Sequence, residues 1–341
     1  MMDNNKPLVS INCITFNHEK YIKEALDSFL MQKTNFEYEI LIHDDASTDN
    51  TADIIRKYEK KYPDIIKPIY QQENQYSKNG NISKNFQYPR AKGNYIAICE
   101  GDDYWTDPNK LQKQVDFLES NPDYGFVHCN FDKLYNKTGR IRKSANKINT
   151  KKFATQDQIF IGILLNTYSI GTLTVMARKD LLIESFDSID LSTHLMGDLP
   201  TWLEISQKTK FHYIQDSVGV YRKVSGSASN TESTYHQFID SGLRIRLEFA
   251  KRYSVSNRIV EILEKSYYKN LFVLAFRSKD KSLSEKCINE MREKKYSINS
   301  FFKLIHYSID KRPIYWMLQI FDSTQRYLVN FLKYILRLNV K

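Results

Sequence analysis

Short apolar runs alternate with amphipathic segments along the first 130 residues or so. The runs are rich in β-branched side chains, as buried parallel strands are. They lie at residues 8–16, 38–43, 65–70, 94–99 and 126–131. The segments between them repeat apolar positions at helical spacing, with Asn17 placed to cap the first helix and Asp107-Pro108 placed to start a later one. This alternation predicts an α/β domain with a mainly parallel central sheet flanked by helices.

The last third of the chain has a different pattern, which is helical from about residue 230 onward. Residues 226–341 hold 21 Lys and Arg against 11 Asp and Glu, so the whole net charge of +10 lies there. Within 313–341, polar side chains repeat on one helical face and the opposite face is broadly apolar. We predict a globular domain over 1–225 and a basic helical extension over 226–341 that ends in an amphipathic helix. Docking of this helix on the protein and binding to an anionic lipid surface are both open.

The composition, 41% hydrophobic and 26% charged residues over 341 positions, is that of a globular protein. Its four cysteines lack the spacing of a metal site, and three of them lie in apolar runs, which favours a reducing compartment. Residues 1–7 are polar, so we expect no secretory signal there, and no apolar run approaches the roughly 20 residues that span a bilayer. We therefore expect a cytoplasmic protein, with peripheral contact to the cytoplasmic face of the inner membrane through 313–341 left open.

Polar clusters follow three of the predicted strands. They are Thr15-Phe16-Asn17, Asp44-Asp45 and Glu100-Gly101-Asp102-Asp103. Ligands bind outside the carboxyl ends of strands in open α/β sheets, so we expect the three clusters to meet around one ligand. The three carboxylates of the last cluster repel one another unless a cation is present, and hard oxygen ligands suit Mg²⁺ or Mn²⁺. An acidic turn that only caps the next helix is the alternative.

The other two clusters suit a nucleotide. Asp44 and Asp45 can accept hydrogen bonds from a base or a ribose, and Phe16 can stack on a base, although an ordinary core position would also explain Phe16. No phosphate-binding glycine motif follows the first strand, which disfavours P-loop kinases and nicotinamide dehydrogenases.

Four segments, in this order along the chain, resemble the family 2 glycosyltransferases. They are VSINCITFN at 9–17, HDDASTDNT at 43–51, AKGNYI at 91–96 and CEGDDYW at 99–105, within a resemblance that covers about residues 7–225. The resemblance implies a GT-A type fold and transfer of a sugar from a nucleotide-diphosphate sugar to an acceptor hydroxyl, usually with inversion. It also implies a divalent metal, Mn²⁺ or Mg²⁺. The acceptor would be a saccharide or a lipid-linked saccharide in bacterial envelope or capsular polysaccharide synthesis.

The resemblance also implies roles for single residues. Phe16 would stack on the base and Asp45 would read it. The residues implied for the nucleotide sugar are Thr15, Phe16, Asn17, Asp44, Asp45, Lys84, Asn85, Glu100, Asp102 and Arg222. Glu100, Asp102 and Asp103 resemble the family's Asp-x-Asp metal motif, with Glu in the first place, and either Asp102 or Asp103 would be the direct metal ligand.

The implied catalytic base lies downstream, in Met196-Gly197-Asp198-Leu199. This segment resembles a Glu-Asp pair of the family with Gly in place of Glu, so Asp198 is the implied base, with Asp187 and Asp190 as competitors. Tyr221-Arg222 resembles a Tyr-Arg pair that closes the family domain, with Arg222 on the diphosphate. Val224 stands where the family often has a histidine.

Two other functions remain open on the sequence alone. A nucleotidyltransferase would also place carboxylates and a metal beside a nucleotide, but residues 15–20 (TFNHEK) lack the glycine-rich basic loop that holds a triphosphate. A non-catalytic module that binds nucleic acid or membrane would use the basic C-terminal third. The broad apolar face of 313–341 favours lipid over nucleic acid, so we expect no nucleic-acid partner.

Overall fold

The computed structural model describes residues 6–78, 81–190, 194–224 and 232–298, together with residues 303, 306, 307 and 309. The chain divides into two compact units, Met1–Ser227 and Ala228–Lys341. The globular domain expected over 1–225 and the basic helical extension expected over 226–341 stay predictions. The amphipathic helix expected at 313–341 lies outside the described residues.

The described part of the first unit is built on one mixed sheet with the strand order β3-β2-β1-β4-β8-β6-β9-β5, and β7 pairs with β6. The strands are β1 (Val9–Thr15), β2 (Tyr38–Asp44), β3 (Ile66–Tyr70), β4 (Tyr95–Ile98), β5 (Tyr104–Trp105), β6 (Tyr124–Tyr135), β7 (Arg140–Arg142), β8 (Met176–Arg178) and β9 (Lys210–Lys223). The first four are parallel to one another, as expected from their apolar runs. Beyond β4 the sheet is mixed, because the three-residue strand β8, too short to give a pattern, inserts antiparallel to both β4 and β6, whereas β6 and β9 pair in parallel.

Helices cover both faces of this sheet. They are α1 (Ile22–Leu30), α2 (Thr51–Lys61), α3 (Lys110–Ser120), α4 (Gln156–Leu164), α5 (Lys179–Asp187) and α6 (Asp198–Lys208). Short helical turns lie at Tyr76–Lys78, Ser83–Gln87, Tyr88–Arg90 and Thr172–Thr174.

The main core lies between the sheet and α1, α2 and α3. The apolar stripe of α1, at spacings of three and four residues, is fully buried and packs on alternate residues of β1. Each such side chain contributes about 1.5–3 kcal/mol by its burial. The alternate residues Asn12 and Ile14 of β1 point to the other face of the sheet, where they line a cavity.

Two predicted helix starts were wrong. Helix α1 begins at Ile22 after Tyr21, and Asn17 does not cap it, because its side chain is bonded to another loop. Helix α3 begins at Lys110 rather than at Asp107-Pro108, because the Asp107 carboxylate accepts the Asn109 amide at 2.9 Å and so forms a turn of its own.

The second unit is helical in its described part, as the pattern predicted. Its helices are α7 (Glu232–Arg252), α8 (Asn257–Ser278) and α9 (Lys281–Glu293). Lys279, in the left-handed region at φ 55°, ends α8, and the Asp280 carboxylate then caps α9 by accepting the Leu283 amide at 2.9 Å. The fully buried Phe272 lies in the core cluster between α8 and α9.

Among the described residues, no helix is long and apolar enough to cross a membrane.

Candidate active site

The turn after β4 packs on the end of β1. The Gly101 amide donates to the Ile14 carbonyl at 3.0 Å, and a Cβ at residue 101 would lie 2.6 Å from the Thr15 hydroxyl oxygen. A side chain at position 101 would therefore push the turn away from β1. The Asp45 amide donates to the Thr15 carbonyl at 2.9 Å. The structure thus brings the polar ends of β1, β2 and β4 together at one edge of the sheet.

The loop after β1 is fastened to the loop after β2. Asn17 has a φ of 55°, in the left-handed region that asparagine tolerates, and its Oδ1 accepts the Thr48 amide at 2.8 Å. The Asn17 amide donates to Ser47 Oγ at 2.9 Å. Phe16, between this anchor and the buried Thr15, keeps 42% of its surface exposed. Its ring is therefore available to a ligand, and its stacking on a base stays a prediction.

Asp44 and Asp45 are both buried, and each is held by protein groups. Asp44 accepts a short hydrogen bond from the Ser47 hydroxyl, and burial raises the pKa of its carboxyl. The two oxygens of Asp45 accept the amides of Gln75 and Tyr76, at 2.7 and 3.1 Å. Asp45 therefore shapes the loop after β3, and its contact with a base stays a prediction for its remaining lone pairs.

Asp102 and Asp103 have different surroundings, which the sequence did not distinguish. Asp103 is buried, and its Oδ1 accepts the backbone amide of Arg222 at 2.7 Å, so it ties the turn after β4 to β9. Asp102 is only partly buried, and its backbone carbonyl accepts Nη1 of Arg222 at 2.6 Å. Of the two carboxylates, that of Asp102 is the more accessible.

Arg222 lies at the centre of a structural network. Its buried guanidinium stands 4.8 Å from the ring of Tyr21 and 4.9 Å from the ring of Tyr104, and it also pairs with Glu24. Cation–π contacts of this kind add about 0.5–2 kcal/mol each. In the structure the guanidinium therefore braces the acidic turn, and its contact with a diphosphate stays a prediction.

The crowding of negative charge raises the pKa values of carboxyl groups in the acidic turn, Glu100 among them. The residue is exposed to the cavity that it lines. Desolvation within the cavity, and then the charges of Asp102 and Asp198, raise the pKa of Glu100 to about 8. Burial and the charge of Asp102 likewise raise the pKa of Asp103 well above its usual value. An added positive charge would favour the ionised form of both carboxylates.

A cavity of about 670 Å³ opens beside this turn. Glu100 and Asp198 both line it, at the end of β4 and in the first turn of α6. Asp198 Oδ1 accepts the Leu199 amide at 2.7 Å, so the carboxylate is oriented by its own helix start. Asp190, one competitor for the role of base, also lines the cavity. Asp187, the other, is exposed and pairs with Lys84 at 2.9 Å.

Lys84 and Asn85 line the same cavity from the short helix Ser83–Gln87. Lys84 Nζ also donates to the Phe186 carbonyl at 3.2 Å, at the end of α5. The remaining wall is largely apolar. Ile14, Ile82, Tyr88, Ile98, Phe186 and Trp202 belong to it.

A bound divalent cation fits the acidic turn in its chemistry, although no group of three His, Cys, Asp or Glu side chains within the described part of the chain forms a ready metal site. Mg²⁺ and Mn²⁺ are commonly held by one or two carboxylates and completed by substrate phosphates and water. The crowded acids Glu100, Asp102 and Asp103, with the raised pKa values described above, are such a donor set.

Two residues near the site were missed by the sequence analysis as site candidates. His18 Nδ1 is buried without a hydrogen-bond partner among the described residues; burial lowers the pKa of His18, and the charge of Asp102 opposes this. Tyr76 stands at the cavity mouth with 54% of its surface exposed. An aromatic residue in an otherwise polar loop was the available signal for Tyr76.

The sequence model of glycosyl transferase family 2 matches residues 10–182 of the chain. The chain therefore belongs to glycosyl transferase family 2, which confirms the resemblance seen in the four motif segments.

Named relatives support the same family. The putative teichuronic acid biosynthesis glycosyltransferase TuaG of Bacillus subtilis is 32% identical over 236 residues, which are 68% of this chain and 85% of TuaG. The UDP-Glc:alpha-D-GlcNAc-diphosphoundecaprenol beta-1,3-glucosyltransferase WfaP of Escherichia coli is 32% identical over 202 residues, 59% of this chain and 71% of WfaP. An uncharacterized protein of Mycobacterium tuberculosis is 48% identical over 117 residues. That match covers 34% of this chain and 32% of the mycobacterial protein, so the chain spans about a third of that relative's length.

Among solved structures, the mannosyltransferase PcManGT from Pyrobaculum calidifontis, in complex with GDP-Man and Mn²⁺, has a TM-score of 0.54 at 15% identity. The match covers 94% of this chain and 88% of PcManGT. At this identity the likeness bears on the fold alone, and it confirms the predicted GT-A type α/β fold.

Proposed function

We propose that this protein transfers a sugar from a nucleotide-diphosphate sugar to an acceptor hydroxyl, with inversion at the anomeric carbon. The observation that carries the proposal is the cavity lined both by Glu100, in the acidic turn after β4, and by Asp198, at the start of α6. Membership of glycosyl transferase family 2 supports the same reaction.

The donor would lie along the joined ends of β1, β2 and β4. The exposed ring of Phe16 would stack on the base, and Asp45 would accept a hydrogen bond from the base or the ribose. Thr15, Asn17 and Asp44 would shape this end of the site. Lys84 and Asn85, on the cavity wall, would face the diphosphate or the sugar.

The cofactor would be Mn²⁺ or Mg²⁺, and Asp102 would be its direct ligand. Asp102 is preferred because its carboxylate is partly exposed, whereas that of Asp103 is buried against the Arg222 amide. When bound, the cation would offset the negative charge that develops on the leaving diphosphate. The Mn²⁺ of PcManGT supports a divalent cofactor.

Asp198 would act as the general base. Its carboxylate would take the proton of the acceptor hydroxyl while the hydroxyl oxygen forms a bond to the anomeric carbon. The bond from that carbon to the diphosphate oxygen would break, and its electron pair would leave with the nucleoside diphosphate. Attack on the face opposite the leaving group inverts the anomeric centre.

The acceptor would be a saccharide or a lipid-linked saccharide of cell-surface polysaccharide synthesis. The name of WfaP describes a diphosphoundecaprenol-linked GlcNAc acceptor, and that of TuaG describes teichuronic acid synthesis. A lipid-linked acceptor agrees with the expected cytoplasmic location and with peripheral contact to the inner membrane through 313–341, which both stay predictions.

The test is a release assay with Mn²⁺ present. UDP-glucose, UDP-galactose, UDP-GlcNAc and GDP-mannose are offered in turn with a short-chain GlcNAc-diphospholipid, and NMR of the product reports its anomeric configuration. We expect acceptor-dependent release of a nucleoside diphosphate from one donor, and a product of opposite configuration. A product with retained configuration would contradict the mechanism, and an absence of transfer from every donor would contradict the proposed reaction.

Three matched variants locate the base. Asp198→Asn should lower kcat at least about 1,000-fold while the affinity for donor stays within about twofold. Asp190→Asn and Asp187→Asn, which remove the competing carboxylates, should keep kcat within about threefold. Full turnover in Asp198→Asn with loss in either other variant would move the base to that residue.

A further inference from the structure

Tyr76 presents an aromatic face at the cavity mouth. It begins the short helical turn Tyr76–Lys78 and exposes 54% of its surface, more than any other large apolar side chain among those lining the cavity. Covering a large exposed ring with a ligand or a partner removes its apolar surface from water and stabilises the complex.

Hydrogen bonds to Asp45 hold the backbone of Tyr76 in place. The Tyr76 amide donates to Asp45 Oδ2 at 3.1 Å and the Gln75 amide to Oδ1 at 2.7 Å. Asn74 Nδ2 also donates to the Asp45 carbonyl, at 3.2 Å. Three hydrogen bonds from consecutive residues therefore hold this loop against the end of β2.

The far end of the side chain is fixed as well. The Tyr76 hydroxyl donates to the carbonyl oxygen of Leu195 at 3.3 Å, three residues before Asp198. Burial, and then the charges of Glu100 and Asp198, raise the pKa of Tyr76, so the phenol stays protonated and able to donate this bond. The ring is thus held at both ends, and it lines the same cavity as Asp198, the residue assigned as base.

We propose that Tyr76 is the stacking platform for the acceptor sugar, with the apolar face of a pyranose packed on its ring and a hydroxyl of that sugar beside Asp198. This inference rests on the proposed function. The acceptor is assigned to this ring because the Tyr76 hydroxyl is bonded to the segment that carries Asp198. The other exposed ring of the site, Phe16, follows β1 on the nucleotide side.

The hydrogen bonds at the backbone and at the hydroxyl of Tyr76 favour binding of the sugar to its ring. Polarised C–H groups on the apolar face of a pyranose pack favourably on the negative face of an aromatic ring. Because the ring is already held in place, little conformational entropy is lost when the sugar binds. Stacking is tolerant of the sugar's identity, so the hydroxyl pattern would be read by other groups of the cavity.

The test separates acceptor from donor with two substitutions at one position. Tyr76→Leu removes the flat ring and keeps apolar bulk, whereas Tyr76→Phe keeps the ring and removes the hydroxyl tether. With whichever of the four donors supports transfer and a short-chain GlcNAc-diphospholipid, Tyr76→Leu should raise the acceptor KM about five- to tenfold. The donor KM should stay within about twofold, and Tyr76→Phe should keep the acceptor KM within about threefold. Tyr235→Leu, which removes an exposed ring from α7, is the matched control and should change neither constant.

Calorimetric binding of the same diphospholipid to the full-length protein gives a readout that needs no turnover. Tyr76→Leu should weaken this binding by the same factor. If wild type binds the diphospholipid through Tyr76 but transfers nothing, the proposed reaction fails and the platform stands. An unchanged acceptor affinity in Tyr76→Leu, a rise confined to the donor KM, or no binding by wild type would overturn the platform.

Discussion

The two compact units of the chain bury different kinds of side chain. In the first unit, polar and charged residues are buried at the strand ends, among them Thr15, His43, Asp44, Asp45 and Asp103. In the described part of the second unit, the buried polar side chains are those of Ser241 and Ser284, and the core cluster between α8 and α9 is aromatic and aliphatic with one cysteine. Buried polar groups cost free energy unless they are satisfied, so their concentration at one edge of the sheet marks a site kept for chemistry. The helical core is explained by packing alone.

The largest effect on turnover should come from substituting Asp102, one of the two adjacent aspartates of the acidic turn. Asp102→Ala should lower turnover at least about 1,000-fold, or about 4 kcal/mol, because the diphosphate loses its cation. The free energy of unfolding should stay within about 1 kcal/mol, because Asp102 is partly exposed. Asp103→Ala should instead lower the free energy of unfolding by about 1–3 kcal/mol, because the Arg222 amide loses its buried acceptor. Urea unfolding and the release assay measure both effects, and a reversed assignment would show as activity lost only in Asp103→Ala at unchanged stability.

A purely structural effect of similar size is expected in the helical unit. Phe272→Ala removes a fully buried ring from the core of α8 and α9 and should lower the free energy of unfolding by about 3–5 kcal/mol. Turnover per folded molecule should stay the same, because this core carries no group of the proposed reaction. The measurement is urea unfolding followed by far-UV circular dichroism, with the assay run at a temperature where the variant is folded. A loss of kcat in the folded variant would mean that this core also supports catalysis.

The smallest effect concerns a buried charge in the first unit. Lys110 is fully buried, with Nζ 2.8 Å from Gln114 Oε1 and 4.1 Å from the centre of the Trp105 ring, and burial lowers its pKa to about 8. The unfolded chain, with a lysine pKa near 10.4, then binds more protons than the folded one between about pH 8 and 10. Stability relative to Lys110→Met should therefore rise with pH across this window, by at most about 1.4 kcal/mol per unit. Urea unfolding of both proteins at pH 8, 9 and 10 gives the difference, and a flat difference would contradict the lowered pKa.

The first four strands and the meeting of their polar ends were predictable from the sequence. Buried parallel strands give continuous apolar runs, and parallel neighbours end at one edge of the sheet, so local patterns were enough to place Thr15, Asp45 and Glu100 close together. The helices of the second unit were predictable for the same reason, since their periodicity is local.

What the sequence did not show depends on contacts between distant residues. Strand β8 has three residues and no pattern of its own, so the mixed half of the sheet was missed. The difference between Asp102 and Asp103 comes from Arg222, about 120 residues away. The position of the Tyr76 ring depends on a hydrogen bond to the carbonyl of Leu195, 119 residues away in the sequence. Asn17 fits a helix cap by type, but its left-handed backbone and its bond to Thr48 arise only when two loops meet.

We propose that the joined strand ends hold a nucleoside diphosphate through a cation at Asp102. Calorimetric titration of UDP and of GDP into the wild type, with Mn²⁺ and then with a chelator, measures this binding. We expect Mn²⁺ to strengthen the binding of one nucleotide at least about tenfold in wild type and to have no effect in Asp102→Ala. Equal affinity with and without the cation in wild type, or an equal gain in Asp102→Ala, would show that Asp102 holds no cation for the diphosphate.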